Sequence, residues 1–340
     1  MKAVIPLAGK GTRLRPHTYI TPKPLLRVGG RPVMSYILDD LQELGVRDIV
    51  FVIGYLGDVV KEYMAREYPG IRASYVVQEV QDGTAGAVKL SEPFVDDEVL
   101  IVFVDTLFDA DLDLPRRLGP EWSGVIWAKE VEDYQRFGVI VTDDESAMTR
   151  IVEKPKDPIS KLANIGLYHI RDHRLLFEGI DHVLASPPGP SGEYYLTDAF
   201  QYMVDHGSRI LTAPVQGWYD CGKPETLLET NEHLLATSRG LVSPEATIES
   251  TTLGDLVRIE EEVFLKDCTL GPNVTVERGA RVVGSTLRDC IVGRGAVIED
   301  SVLRESLIGD DAAVRGFQGT LSVADNSVVL FQARMSGEHT

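Results

Sequence analysis

A glycine-rich turn with basic residues follows the first apolar run of the chain. The run covers residues 3–7, and Gly9, Lys10, Gly11 and Arg13 come shortly after it. A short apolar run of this kind is typical of a buried strand. Glycine lets backbone N–H groups approach an anion without a Cβ atom in the way, and the two cations add full positive charge. The pattern therefore predicts a strand that leads into a phosphate-binding turn, and the ligand we expect is a polyphosphate.

The spacing of these glycines excludes two common phosphate-binding loops. A Walker loop requires Gly-Lys-Ser/Thr after four intervening residues, but Lys10 precedes the second glycine here and no such triplet follows. The dinucleotide-binding fingerprint requires a third glycine where this chain has Leu14. The glycines alone favour a tight structural turn, and the basic residues around them shift the interpretation towards a phosphate site.

A carboxylate follows a second apolar run. Asp105 comes directly after the apolar residues 99–104. At the carboxyl end of a buried strand it would face the crevice in which a polyphosphate at the glycine turn would lie. An Asx turn or a helix cap is an equally good interpretation of the residue type alone. Three further carboxylates, Asp109, Asp111 and Asp113, have a spacing that could bind a cation but is more typical of a solvated loop.

Strands and helices alternate from residue 1 to about residue 237. The elements that apolar spacing predicts there include helices over 32–44 and 58–68 and strands over 49–53, 73–77 and 99–104. This alternation predicts a mostly parallel sheet with helices on both faces. Ligands of such sheets bind beyond the carboxyl ends of the strands, where the glycine turn lies. A connecting helix is predicted over 222–236.

The chain from residue 242 onward has a different pattern. Apolar residues recur every six positions in patches, at Val257 and Val263, at Leu270, Val276 and Val282, and at Ala296, Val302, Ile308 and Val314. Glycines separate many of these positions. A period of six with small residues at the corners is typical of a hexapeptide β-helix, in which each side of a triangular coil is one short strand. A β-sandwich, the alternative, has regular turns without a fixed period.

Composition narrows the class of protein. A chain of 340 residues is long for one core, so we predict two domains, over 1–237 and 238–340. The formal net charge of -18 argues against nucleic acid and anionic membranes as partners, because both are bound by an excess of Lys and Arg. Three scattered cysteines without metal-ligand spacing suit a reducing cytoplasm, and we expect neither a signal peptide nor a membrane span.

The segments LAGKGTRLRP over 7–16 and TPKPL over 21–25 resemble the opening of the sugar-1-phosphate nucleotidylyltransferases, most closely the long form of the glucose-1-phosphate thymidylyltransferases. The resemblance covers nearly the whole chain. It implies a Rossmann-like catalytic domain followed by a left-handed parallel β-helix. It also implies that a nucleoside triphosphate is bound through Leu7, Ala8, Gly9, Gly11, Thr12 and Arg13. Arg13 and Lys23 would hold the phosphates, and two prolines restrict the backbone around Lys23.

The resemblance further implies a Mg²⁺ site with Asp105 and Asp220 as ligands. Asp220 lies in the segment GWYDCG over 217–222. Two carboxylates that leave positions for water and phosphate oxygens suit this hard cation. The family usually places Gly and Asn on either side of the first Asp, whereas this chain has Val104 and Thr106.

Gln78, Gly83 and Thr84 are the residues that the resemblance assigns to the nucleotide's base side. Gln78 carries both a donor and an acceptor, enough to pair with the N3 and O4 edge of uracil or thymine, although a surface glutamine near a turn is the alternative. The residues assigned to the sugar phosphate are Gly138, Glu153, Lys154, Asn164 and Trp218. A solvated charge pair is the alternative for Glu153 and Lys154.

The function implied is Mg²⁺-dependent synthesis of a nucleoside-diphosphate sugar and pyrophosphate from dTTP or UTP and a sugar 1-phosphate, with glucose 1-phosphate expected. Arg13, Lys23 and Lys154 would be the catalytic cations. The alternatives are a mannose-1-phosphate guanylyltransferase and a regulatory relative that binds sugar nucleotide without turnover. An acyltransferase is disfavoured because no histidine lies between His233 and His339. Exposed coil faces suit self-association, so we expect a cytoplasmic homo-oligomer.

Overall fold

The structure, a computed structural model, describes residues 1–189, 191–238 and 240–331; Pro190, Arg239 and residues 332–340, with His339, lie outside the described residues. Internal packing divides the chain into two compact units. The first takes Met1–Lys10 and Met34–Trp218, and the second takes Gly11–Val33 and the chain from Tyr219 onward. The units are therefore interleaved along the sequence. The division into domains over 1–237 and 238–340 stays a prediction.

The elements that precede the coil follow in chain order. The strands are β1 Lys2–Pro6, β2 Arg27–Val28, β3 Arg31–Pro32, β4 Asp48–Ile53, β5 Arg72–Val77, β6 Val99–Val102, β7 Thr106–Asp109, β8 Gly124–Glu130, β9 Gly138–Thr142, β10 Met148–Glu153, β11 Leu162–Ile170, β12 Ile210–Pro214 and β13 Gly217–Asp220. The helices are α1 Val33–Glu43, α2 Gly57–Glu67, α3 Thr84–Lys89, α4 Leu114–Arg117, α5 His173–Leu184, α6 Leu196–Asp205 and α7 Pro224–Ser238.

The first unit is built on one large sheet of strand order β10-β9-β11-β6-β1-β4-β5, with β8 and β12 joined beside β11. Strands β6, β1, β4 and β5 are parallel to one another, and β12 is parallel to β8. Strand β11 runs antiparallel to β6, β8 and β9. The four residues of β6 are fully buried, as expected of a strand covered on both faces. This confirms the predicted Rossmann-like sheet and adds an antiparallel part to it.

The second unit contains a parallel β-helix, which confirms the predicted coil. Its strands are β14 Leu241–Val242, β15 Thr247–Glu249, β16 Thr252–Leu253, β17 Val257–Ile259, β18 Phe264–Lys266, β19 Thr269–Leu270, β20 Val274–Val276, β21 Arg281–Val283, β22 Thr286–Val292, β23 Val297–Glu299, β24 Val302–Ile308, β25 Ala313–Arg315, β26 Gln318–Gly319, β27 Ser322–Val323 and β28 Val328–Leu330.

Apolar side chains stack along the interior of this coil. Leu265 pairs with Val282, Val282 with Ile298, and Ile298 with Val314, and all four side chains are fully buried. One coil thus takes 17 residues from Leu265 to Val282 and 16 from Val282 to Ile298. Three strict hexads would take 18, so the period of six holds only in patches, as the sequence pattern had indicated.

A buried amide joins three elements of the second unit. Asn231 on α7 is fully buried, and its Nδ2 donates to Oδ1 of Asn273 at 2.7 Å. Its Oδ1 accepts from Oγ1 of Thr275 at 2.8 Å and from the N–H of Gly29 at 2.9 Å. Since an unsatisfied buried amide is costly, these bonds fix the helix, the coil and the β2–β3 hairpin in one arrangement.

Among the described residues, no helix is long and apolar enough to cross a membrane.

Two valines of the coil allow the same substitution at a buried and an exposed position. Val282 has no exposed surface, whereas Val302 is 47% exposed. We expect Val282→Ala to lower the free energy of unfolding by about 2 kcal/mol, because it removes buried methyl groups and leaves a cavity. Val302→Ala should change it by less than about 0.5 kcal/mol. Guanidinium chloride titration followed by circular dichroism measures both, and equal effects would contradict the buried position of Val282.

Candidate active site

The glycine turn leaves the carboxyl end of β1, as predicted. Leu7 and Ala8 are buried there, and the N–H of Leu7 donates to the carbonyl of Val52 at 2.7 Å. The Ala8 carbonyl accepts from Nε2 of Gln81 at 2.7 Å. A Cβ atom on Gly9 would meet no atom within 4 Å. The turn is therefore held firmly at its start and leaves open space at its first glycine.

The second glycine of the turn packs against the segment that carries Lys23. Gly11 has a φ of 60°, and a Cβ atom there would lie 3.1 Å from Cβ of Lys23 and 3.0 Å from Cγ2 of Thr18. Oγ1 of Thr18 donates to the Gly11 carbonyl at 2.8 Å. Thr12 then begins a 3₁₀ turn over Thr12–Leu14 that carries Arg13. The close approach requires glycine, and it holds Lys23 beside the phosphate-binding turn.

Three of the predicted site residues meet around Gly222. A Cβ atom on this glycine would lie 2.7 Å from Oδ1 of Asp220, 3.2 Å from Nη2 of Arg13 and 3.5 Å from Nζ of Lys23. The N–H of Gly222 donates to Oδ1 of Asp220 at 2.7 Å, which orients the carboxylate. Two cations and one carboxylate are thus brought together from parts of the sequence about two hundred residues apart. We call this group the Gly222 cluster.

In the first unit, Asp105 occupies the turn that joins β6 to β7. The residue is partly buried, and its neighbours Val104 and Thr106 are buried. Oγ1 of Thr106 is buried and has no hydrogen-bond partner among the described residues. The negative charges of Glu153 and Asp105 add to burial in raising the pKa of Tyr168. The carboxyl end of β6 therefore carries a carboxylate, as the sequence predicted.

The predicted base-binding residues lie together at the start of α3. Gln78 is only 7% exposed, so it is not a surface glutamine. Its Nε2 donates to Oδ1 of Asp82 at 3.1 Å and to the Gly83 carbonyl at 3.3 Å. Gly83 has a φ of 124° and lies against the backbone of Tyr194 with no room for a Cβ atom. Oγ1 of Thr84 accepts from the N–H of Leu196 at 2.9 Å.

The predicted sugar-binding residues converge on Gly138 at the start of β9. A Cβ atom there would overlap Nδ2 of Asn164 and lie 2.8 Å from Oε2 of Glu153. Nδ2 of Asn164 donates to the Gly138 carbonyl at 2.9 Å, and Oγ1 of Thr197 donates to Oε2 of Glu153 at 3.2 Å. Nζ of Lys154 lies 3.7 Å from Oε1 of Glu153. The arrangement offers a carboxylate, an amide and a cation on neighbouring strands.

Burial governs the electrostatics of Glu153. The side chain is only 17% exposed, so it does not form a solvated pair with Lys154. Burial raises the pKa of this carboxyl, and the Lys154 ammonium and the Thr197 hydroxyl oppose that shift. A partly desolvated carboxylate is a strong acceptor of hydrogen bonds from the hydroxyl groups of a ligand.

Trp218 packs against Phe137, with ring centres 5.0 Å apart in an edge-to-face arrangement. Its Nε1 is buried and has no hydrogen-bond partner among the described residues. A buried indole N–H usually finds a partner, so this donor is available to a ligand.

Comparison with known proteins now adds a decisive observation. The nucleotidyl transferase family model matches residues 2–237. The chain belongs to the nucleotidyl transferase family. UTP–glucose-1-phosphate uridylyltransferase AglF of Haloferax volcanii is 32% identical over 239 residues, which cover 69% of this chain and 96% of that protein. A glucose-1-phosphate thymidylyltransferase of Streptomyces antibioticus is 29% identical over 316 residues, 86% of this chain and 87% of the relative.

Solved structures support the fold of this nucleotidyl transferase. A UDP-glucose pyrophosphorylase crystallised with UDP-glucose aligns with a TM-score of 0.62 at 24% identity. The match covers 69% of this chain and 98% of the other. At 24% sequence identity, this similarity shows that the two proteins share a fold.

Each unit contains a carboxylate of the kind that Mg²⁺ prefers. Asp105 and Asp220 offer carboxylate oxygens, the ligands that Mg²⁺ prefers, and the buried Oγ1 of Thr106 beside Asp105 has no hydrogen-bond partner among the described residues. No group of three or more His, Cys, Asp or Glu side chains in the described part of the chain could hold a metal. A hard cation with few protein ligands keeps water and substrate oxygens in its shell, as expected of Mg²⁺.

Two residues of the sugar-side pocket were missed as functional candidates. Thr197 lies in the first turn of α6, and its hydroxyl donates to Oε2 of Glu153. The Tyr168 hydroxyl donates to Oδ1 of Asn164 and so orients that amide. Both residues of this second pair lie on β11, and their spacing of four along a strand was the available signal.

We expect Glu153→Gln to raise the melting temperature at about pH 8. A raised pKa means that the folded state binds the proton more readily than the unfolded state, so ionised Glu153 destabilises the fold above its pKa. Glutamine removes that cost. The gain should shrink as the pH falls and vanish below the ordinary glutamate pKa of about 4.3, where Glu153 is protonated in both states. Differential scanning fluorimetry measures it.

The matched control for this experiment is Glu130→Gln at the exposed end of β8, which should leave the melting temperature unchanged. A lower melting temperature for Glu153→Gln at about pH 8 would contradict the electrostatic account.

Proposed function

We propose that this nucleotidyl transferase joins a nucleoside triphosphate to a sugar 1-phosphate and releases pyrophosphate. The observation that carries the proposal is the Gly222 cluster, in which Arg13, Lys23 and Asp220 lie side by side. Two cations next to a carboxylate are what a triphosphate with a bound divalent cation requires. The names of the relatives support the sugar: both contain glucose 1-phosphate, one with UTP and one as a thymidylyltransferase. We therefore propose glucose 1-phosphate with dTTP or UTP.

The reaction requires two anions to meet. A phosphate oxygen of the sugar 1-phosphate forms a bond to the α-phosphorus, and the bond from that phosphorus to the bridging oxygen of pyrophosphate breaks in line with it. The triphosphate itself supplies the leaving group, so no covalent enzyme intermediate is needed. Catalysis then consists of positioning and charge neutralisation. We assign the polyphosphate to Arg13 and Lys23 and the sugar phosphate to Lys154.

Magnesium, which the resemblance assigns to Asp105 and Asp220, would supply positive charge to neutralise the phosphate oxygens. The remaining groups of the first unit would orient the sugar. Glu153 would accept hydrogen bonds from the sugar hydroxyls and Asn164 would supply an amide, both beside Gly138. Trp218 contributes a donor that no described protein atom uses.

The base is proposed to be a pyrimidine. In the structure, Nε2 of Gln78 is directed to Asp82 and Gly83. This fixes the amide plane and makes Oε1 the atom suited to accept the N3–H of uracil or thymine. Guanine also carries an N–H donor, at N1, so discrimination against it would come from its larger bicyclic ring rather than from this hydrogen bond.

Self-association is proposed for the coil. Exposed apolar side chains on it include Leu241, Val242, Val328, Leu330 and Phe331. We propose a homo-oligomer that acts on small anionic substrates in the cytoplasm. The net charge of -18 makes nucleic acids and anionic membranes unfavourable partners.

The first experiment compares pyrophosphate release from dTTP, UTP, GTP, ATP and CTP with glucose 1-phosphate and Mg²⁺. We expect dTTP or UTP to exceed GTP by about a hundredfold or more in kcat/KM, because the proposed place beside Gln78 is for a single pyrimidine ring. Gln78→Ala should reduce this ratio. A preference for GTP would favour a mannose-1-phosphate guanylyltransferase. If no triphosphate releases pyrophosphate with glucose 1-phosphate or with mannose 1-phosphate, a regulatory protein that binds sugar nucleotide without turnover would be favoured.

Asp105→Asn should reduce kcat by about a thousandfold, since it removes a negative ligand from the proposed metal site. The melting temperature should stay close to that of the wild type. Asp113→Asn is the control, because Asp113 is exposed and pairs with Arg116 at 2.9 Å. Near-normal turnover of Asp105→Asn, or loss of turnover in the control instead, would remove Asp105 from the metal site.

A further inference from the structure

The segment Gly11–Val33 packs in the same compact unit as the coil. Two polar contacts anchor its first half to the last described coil. Nε2 of His17 lies 3.0 Å from Oγ of Ser322, and Oγ1 of Thr21 donates to Oδ2 of Asp325 at 3.0 Å. The segment that carries Arg13 and Lys23 is therefore positioned by coil residues about three hundred positions further along the chain.

Arg27 anchors the second half of the segment to two stacked carboxylates. Its Nε lies 2.6 Å from Oε2 of Glu277, and its Nη2 lies 3.4 Å from both carboxylate oxygens of Glu260. Glu277 is 1% exposed and Glu260 9%. These carboxylates follow the paired strands β17 and β20, so they occupy equivalent positions on neighbouring coils. Arg27 thus spans two coils at once.

The backbone around Arg27 is equally constrained. Nη2 of Arg27 donates to the Gly30 carbonyl within the β2–β3 hairpin. Gly30 has a φ of 82°, and a Cβ atom there would lie 2.6 Å from Oε1 of Glu260. The same Cβ atom would overlap Nε of Arg258, so the hairpin can approach these two side chains only because this residue is glycine.

A short rigid connection joins Arg27 to Lys23. The residues Lys23–Leu25 form a 3₁₀ turn, in which the N–H of Leu25 donates to the carbonyl of Pro22 at 2.8 Å and that of Leu26 donates to the carbonyl of Lys23 at 3.1 Å. Prolines on both sides of Lys23 restrict its backbone further. A displacement of Arg27 would accordingly be passed on to Lys23.

Stability alone does not explain a buried ion pair at this place. Replacing such a pair with well-packed apolar side chains is often neutral or stabilising, because desolvation offsets the attraction. What a buried pair can supply is a unique arrangement. An arginine that contacts two carboxylates fixes the segment in both directions, whereas an apolar contact tolerates sliding.

We propose that Glu277 is a positioning residue for the triphosphate, which acts through Arg27 to hold Lys23 in the Gly222 cluster. This inference rests on the proposed function of that cluster. Glu277 itself does not contact the substrate in this account. Its role is to fix the place at which the Lys23 ammonium meets a phosphate.

The charge of Glu277 depends on pH in a useful range. Burial raises the pKa of this carboxyl to about 7, and the Arg27 guanidinium opposes the shift. The charged or titratable groups around it are Arg27 and His17 from the segment and Glu260, Arg294, Asp310 and Asp325 from the coil. Since a raised pKa means protonation as the pH falls through about 7, Arg27 then loses its closest partner. KM for the triphosphate should consequently rise on the acidic side.

The test compares Glu277→Gln with the wild type, using the triphosphate that the wild type uses best. We expect KM for the triphosphate to rise about tenfold, with KM for the sugar 1-phosphate unchanged within about twofold. The acidic rise in KM should be absent from the variant, because glutamine does not titrate. Arg27→Lys, which keeps the charge but cannot contact both carboxylates, should have an intermediate KM.

Glu299→Gln is the matched control. Glu299 forms a partly exposed pair with Arg315 at 2.7 Å on the same coil, so the same substitution there should leave both KM values unchanged. If Glu277→Gln fails to fold, Arg27→Lys and the pH profile of the wild type carry the comparison.

The outcomes separate this inference from the proposed function. An active wild type with an unchanged KM for the triphosphate in both variants overturns the inference alone, as does an equal rise in both KM values. A wild type without turnover overturns the proposed function. Titration calorimetry with the triphosphate then decides the inference, and equal dissociation constants for wild type and Glu277→Gln would overturn it.

Discussion

Two cations, Arg13 and Lys23, have to stay close together beside the carboxylate of Asp220, and this constraint explains much of the second unit. Like charges repel, and two exposed cationic side chains would normally move away from each other into water. Here the backbone prevents it. Gly11 permits the approach of the two parts of the segment, and Asp220 is oriented by the N–H of Gly222. The positive charge is therefore present before a ligand arrives, which lowers the cost of reorganisation on binding.

The pockets of the first unit follow a similar principle with different means. Polar side chains at the ends of strands are oriented by hydrogen bonds from neighbouring groups. Asn164 is held by Tyr168 and by the Gly138 carbonyl, and Glu153 is held by Thr197. This arrangement costs stability, because the carboxylate of Glu153 is partly desolvated and its ionised form destabilises the folded state.

Local patterns in the sequence predicted the elements well. The helix predicted over 32–44 is α1 over Val33–Glu43, and the connector predicted over 222–236 is α7 over Pro224–Ser238. The coil was recognisable because stacked apolar residues recur along the chain, although its turns take 15 to 17 residues and so interrupt the hexads. Each of these features depends on neighbours in sequence, which is what periodicity records.

Features that depend on distant pairing were not predictable in the same way. The antiparallel part of the sheet, from β8 to β11, depends on which strands pair with each other, and local sequence patterns do not reveal that pairing. Of the residues around the Gly222 cluster, only those within familiar motifs were identified. Arg27 and Glu277 lie 250 positions apart, and each alone is typical of a solvated surface charge.

A coil is well suited to hold such a segment. Its strands repeat at one spacing, so carboxylates at equivalent positions of adjacent coils form a ladder of fixed pitch, set by the backbone hydrogen bonds between parallel strands. Arg27 contacts two steps of that ladder. A shift of the segment by one coil would place the guanidinium beside different residues and deprive the buried Glu277 of its closest counter-charge, which is unfavourable. A regular coil would otherwise offer the segment several equivalent docking positions. The single pair of buried carboxylates leaves one of them.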